Sequence, residues 1–182
     1  MSNRHKVFIS YHHALDEAYK IKFEQFGSIF DVLVPGAVKI GDIDPNLPAE
    51  TIRQKIRDEY LRDTSVTVVL IGAETWQRKH IDWEIGSSIR QTAYNARSGL
   101  LGIILPTYPR TDLIRYNPHT IPPRLYDNIK CEFASIHNWS NDPRPQSFTI
   151  RILDFASCVK SFSRWVYGRG LHRAGWSGER LL

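Results

Sequence analysis

The run TSVTVVLIGAETWQRKHIDWEIGSSIR (residues 64–90) reads as a buried strand, a short loop and a helix. Residues 65–71 are β-branched or apolar almost throughout, the composition of a strand covered on both faces. In the helix, Ile81, Ile85, Ile89 and Ala96 recur at roughly the helical period. Beside them Glu84, Ser87, Ser88 and Gln91 make a small, polar stripe. The pattern predicts Glu84 in the first helical turn, just past the C-terminal end of a central strand. Open α/β sheets bind ligands there, so Glu84 is the candidate catalytic group. The alternative is a purely structural acid favoured by the positive end of the helix dipole.

Strand and helix alternate outward from this unit. Residues 6–11 predict a first strand, residues 14–30 a helix with Leu15, Ala18, Tyr19, Phe23, Phe26, Ile29 and Phe30 facing inward, and residues 30–34 a short strand. A Gly-, Pro- and Asp-rich loop follows over residues 35–48, long enough to overhang a site. Residues 49–61 predict a second helix, with Ile52, Ile56 and Tyr60 inward. Beyond the central unit, residues 99–105 predict a buried strand, and the proline-rich residues 107–127 an irregular stretch. Residues 130–133 predict an edge strand, and residues 147–167 a long amphipathic helix. Such alternation implies parallel strands and a flavodoxin-like open sheet in one domain over residues 1–168, followed by a basic tail over 169–182. In that topology the first and central strands are neighbours. Tyr11, His12 and His13 are then expected close to Trp76 and Glu84 in one crevice.

A chain of 182 residues, 42% hydrophobic and 24% charged, has the composition of an ordinary globular domain. No run of eighteen apolar residues exists, so no membrane span is expected. The first ten residues enter a strand directly, leaving no room for a signal peptide. Two cysteines without a CxxC spacing argue against a disulfide framework and for a reducing, cytoplasmic setting. The net charge is +5, concentrated toward the C-terminal end, where Lys160, Arg164, Arg169, Arg173 and Arg180 face only Glu179. Trp165, Tyr167 and Trp176 lie among them, but no basic face elsewhere supports nucleic-acid binding.

Several chemistries lack their signatures. There is no GxGxxG or Walker loop, and GAET after the central strand is too short to cradle a phosphate chain. The histidines do not fall at metal spacing; the adjacent pair His12–His13 points to opposite sides of an extended segment. No GxSxG elbow marks a serine hydrolase.

KVFISYHHALD at the start and TIRQKIRDEYLRDTSVTVVLIGAETWQRKHIDWEIGSSI together resemble the Toll/interleukin-1 receptor (TIR) superfamily. More closely they resemble the bacterial TIR-like proteins of the Thoeris antiphage defence system. The first segment carries a Ser-aromatic pair, Ser10–Tyr11, followed by Asp16. In the second, Glu84–Ile85 fall on the glutamate and aliphatic positions that open the third helix. The resemblance covers about residues 6–105. His80 stands where TIR domains usually carry tryptophan, and Lys79 and Ile81 replace the usual serine and cysteine. Residues 35–48 lack a match to the receptor-type adaptor loop, which points to the divergent bacterial branch.

The resemblance implies an NAD-consuming enzyme that makes an ADP-ribose-derived signalling nucleotide, cyclic where adenine or a ribose hydroxyl attacks and linear where water does, with NAD as substrate and no cofactor or metal. Glu84 would stabilise the oxocarbenium-like state formed as the nicotinamide–ribose bond breaks. Ser10, Tyr11, His12, His13, Trp76 and Trp83 would line the substrate site. The implied partners are a separate effector protein, a phage-derived trigger and further copies of the chain, with no membrane. Two other readings stay open: a non-catalytic TIR-like interaction module, and an N-glycosidic enzyme akin to the nucleoside deoxyribosyltransferases.

Overall fold

The structure, a computed structural model, describes residues 5–29, 33–36, 44, 46–62, 64–91, 97–110 and 116–139. Five strands form one parallel sheet: β1 (His5–Ser10), β2 (Leu33–Gly36), β3 (Val66–Ile71), β4 (Gly99–Ile104) and β5 (Ala134–Asn138). Their order is β2-β1-β3-β4-β5. This is the flavodoxin-like order, and its reversal between β1 and β3 is the switch point at which such sheets take ligands. The register sets Ser10 opposite Val69, so β1 ends two residues short of β3 on the same rim.

The strands are apolar on both faces because helices cover both. Val7, Ile9, Tyr11, Val68, Leu70 and Ile103 pack toward Phe23 of α1 (His13–Ile29). On the other face Val69, Ile71, Leu100 and Ile104 meet Ile81 and Ile85 of α3 (Lys79–Ser88) and Leu125 of α4 (Pro123–Lys130). Phe8 packs there with Ile52, Ile56 and Leu61, from α2 (Ala49–Lys55) and the π-helical turn Ile56–Tyr60 that continues it. Among the described residues, no helix is long and apolar enough to cross a membrane.

Four details differ from the sequence expectation. Helix α1 has the right period but a shifted phase: Leu15 is 49% exposed, while Asp16 and Phe23 are buried. Hydroxyls from two loops draw the Asp16 carboxylate inward, and that turns Leu15 out. Strand β2, described over Leu33–Gly36, runs past residue 34 and includes Pro35; its edge position leaves room for a residue without an N–H. The stretch 107–127 is not wholly irregular, for Pro123 opens α4; proline suits the first helical turn, where its missing donor is not needed. Residues 130–133 are not a strand. They end α4 in a turn with Glu132 at φ 61, and β5 starts only at Ala134. The long helix at 147–167, the tail at 169–182 and the domain limit between them lie outside the described residues.

Candidate functional site

The end of β1 runs alongside the start of α3, and the two are bonded side by side. Ser10, the last residue of β1, donates its hydroxyl to Glu84 Oε2 at 2.5 Å. One residue on, the Tyr11 carbonyl lies 3.4 Å from His80 Nε2. His80 and Glu84 are four apart on α3 and so share a face. Glu84 lies in the second turn of α3, not the first; the first-turn acid is Asp82. Asp82 is held by a two-pronged pair from Arg124 of α4, at 3.1 and 3.2 Å. The capping role open to Glu84 in the sequence therefore belongs to no atom of Glu84 here.

Glu84 is 3% exposed. Burial pushes its carboxyl up to about 8, against the opposing pull of the Ser10 hydroxyl. A neighbouring cation, as a positively charged substrate would supply, favours the ionised form again. The stripe beyond it turns to the protein: Ser87 donates to the Arg53 carbonyl of α2 at 3.2 Å, and Ser88 to the Ile85 carbonyl at 2.9 Å.

Around Glu84 the rings form a shelf. Tyr11 and His13 have centroids 4.3 Å apart, and His13 and His80 5.7 Å apart. Burial holds His13 and His80 below the ordinary histidine range, so both imidazoles are neutral near pH 7. The Tyr11 hydroxyl donates to Glu17; burial, then Glu17, push its pKa above the ordinary tyrosine value and keep it protonated.

A second buried carboxylate, Asp16, lies beside this site. It accepts from Thr107 Oγ1 at 3.1 Å and from Thr75 Oγ1 at 3.5 Å, joining the loops after β1, β3 and β4. Thr75 Oγ1 also accepts the Gly72 N–H at 2.8 Å. A Cβ at Gly72 would stand 2.4 Å from both Asp16 carboxylate oxygens, so only glycine admits the carboxylate here. Among the described residues, no group of three or more His, Cys, Asp or Glu is arranged to hold a metal ion.

Residues 8–110 match the family described as Thoeris protein ThsB, TIR-like domain. The chain belongs to this family. The match takes in the end of β1, the Gly72 loop and all of α3, hence both halves of the Ser10–Glu84 bond. Membership in the Thoeris TIR-like family supports a role in Thoeris defence. No curated protein matches the chain.

Of the residues singled out in the sequence, Ser10, Tyr11, His13 and Glu84 are brought together at one rim. His12, buried, follows on the same strand end but faces Asp16, Glu74 and Arg78, whose charges act on it. Trp76 is 39% exposed in the turn Thr75–Gln77. Trp83, half-buried, packs against the cluster of Phe8, Ile52, Ile56 and Leu61. Sequence reasoning did not select His80, Arg78 or Asp16 for the site. The i, i+4 spacing to Glu84 was the signal available for His80, and for Asp16 its place after the Ser10–Tyr11 pair; the partners of Asp16 come from loops 59 and 91 residues away.

Proposed function

We propose that this Thoeris TIR-like protein cleaves the nicotinamide–ribose bond of NAD and makes a cyclic, ADP-ribose-derived signalling nucleotide. The observation that carries the proposal is the buried Glu84 carboxyl, bonded to Ser10 at the β1/β3 switch point. When the C1′–N bond breaks, its electron pair leaves with nicotinamide and neutralises the pyridinium. The ribose left behind is oxocarbenium-like, and an ionised Glu84 stabilises it electrostatically. Ser10 aims the carboxylate, and the Tyr11–His13–His80 shelf offers faces for a planar base.

The burial of Glu84 supports attack by a nucleophile of the nucleotide itself over attack by water. Closure onto an adenine nitrogen or ribose hydroxyl, with loss of one proton, gives the cyclic product. That product would act on a separate effector protein. That Glu84 does not cap α3 supports the catalytic reading over the non-catalytic one. The test uses phage-infected cells expressing the parent chain or Glu84→Gln at equal levels, with nicotinamide and nucleotides followed by mass spectrometry. Loss of both products in the variant is expected; nicotinamide release at the parental rate by Glu84→Gln refutes the proposal.

A further inference from the structure

Among the described residues, three buried side-chain polar atoms lack a hydrogen-bond partner: His12 Nδ1, Thr67 Oγ1 and Arg78 Nε. Thr67 is alone in the middle of β3. The other two nitrogens belong to one rim, close enough for the Arg78 charge to act on the His12 ring. Arg78 Nε always carries a hydrogen, and a neutral imidazole carries one on either nitrogen. A buried guanidinium N–H and, in the Nδ1–H tautomer, a buried imidazole N–H at one rim call for an acceptor.

The surroundings favour a negatively charged one. Arg78 is the residue before α3, and its side chain does not cap the helix. The Ile81 N–H bonds the Arg78 carbonyl at 3.1 Å, but the N–H groups of Lys79 and His80 precede the helical ladder and, with the positive end of the dipole, face the same rim. We infer that Arg78, His12 and the start of α3 form an oxyanion seat that holds a phosphate group of the substrate. The seat depends on the NAD reading only for the identity of its occupant.

Successive residues of β1 and α3 explain its spacing. Ser10 meets Glu84, the Tyr11 carbonyl meets His80, and His12 lies by Arg78, so the contacts climb α3 toward its N-terminus. Six residues at a 1.5 Å rise put Arg78 about 9 Å from Glu84 along the helix axis. A ribose whose anomeric carbon lies at Glu84 can thus carry its 5′-phosphate toward Arg78. Two carboxylates oppose an anion there. Asp16 has its oxygens engaged by Thr75 and Thr107. Glu74 pairs with Arg78 Nη2, which leaves Nε for the ligand, and as a loop side chain it can yield to a phosphate.

The experiment is calorimetric titration of the full chain with inorganic pyrophosphate, ADP-ribose and nicotinamide riboside, the last having no phosphate. Arg78→Met should weaken pyrophosphate and ADP-ribose at least tenfold and leave the riboside unchanged; Arg78→Lys should lose less. If Arg78→Met fails to melt cooperatively, Arg78→Lys carries the test through a several-fold loss for pyrophosphate. Pyrophosphate binding that falls in the variant, with no nicotinamide compound bound by any form, keeps the seat and sinks the NAD reading. ADP-ribose bound equally by parent and variant, or neither phosphate compound bound by the parent, overturns the seat.

Discussion

Replacing Glu84 by glutamine should stabilise the protein, and by an amount that grows with pH. In the folded chain the carboxyl titrates near 8, against an ordinary value of 4.5. The folded state therefore holds a proton that the unfolded state has already released. The parent's stability is unaffected by this group below about pH 4.5, falls as pH rises between the two values, and levels off above about 8. At 1.36 kcal/mol per unit the full penalty is on the order of 5 kcal/mol, of which about 3 kcal/mol is in force at pH 7. Glutamine has no charge to desolvate and still reaches the Ser10 hydroxyl. The variant should match the parent near pH 4 and exceed it by about 3 kcal/mol at pH 7, roughly 6–12 °C in melting temperature. Paired urea and thermal melts from pH 5 to 9 measure this difference, and titrations shared by both chains, that of Asp16 included, cancel in it. A difference that stays flat across the range would refute the account of Glu84 as a carboxyl held against its preference.

Thr67→Val removes the unpartnered, fully buried hydroxyl of β3 while keeping its shape, and should raise stability by about 1 kcal/mol in urea unfolding. Gly72→Ala drives a Cβ onto the Asp16 carboxylate, a side chain held in place by Thr75 and Thr107, and should cost about 3 kcal/mol; Gly72→Ala combined with Asp16→Ala should recover much of it, which the melting temperatures of both chains would show.

The sheet was legible because its strands obey one rule throughout. Residues 66–71 and 99–104 are apolar on both faces, and only a parallel sheet between helices hides such runs. Where one physical demand overrode another, the pattern misled. The phase of α1 was read from its apolar residues, yet an acid won the inward position, since two threonine hydroxyls meet it there. Pro122 and Pro123 suggested irregular chain, yet proline is as suited to starting a helix as to breaking one. At the site, the placement of Glu84 beside the end of β1 followed from topology alone. Its depth in α3 did not, because the helix begins at Lys79 without a side-chain cap to mark it. Trp83 and His80 were hardest to assign, for which of two neighbouring aromatic positions faces the core is settled by the helix's rotation against β1.

The two buried carboxylates at the rim are of different kinds, and the difference bears on function. Asp16 receives two hydroxyls, fills the space that Gly72 vacates, and ties three loops together; its burial is compensated by the bonds it makes. Glu84 receives one hydroxyl, among the described residues, and stays 3% exposed. Burial of an acid with so few partners is unfavourable, and a chain under selection for stability alone would place glutamine or leucine there. Structures keep such a group where its reactivity is used. The same holds for His12 Nδ1 and Arg78 Nε, two unpartnered buried nitrogens at the residue before α3 and on the strand end beside it. Three unfavourable polar burials are thus gathered where the strand order reverses, while the opposite end of the sheet satisfies its own polar groups, as Thr64 and Ser98 do with each other at 3.0 Å. A carboxylate that gains its charge from a cationic substrate and donors that gain their acceptor from a phosphate would be completed together by one ligand carrying both.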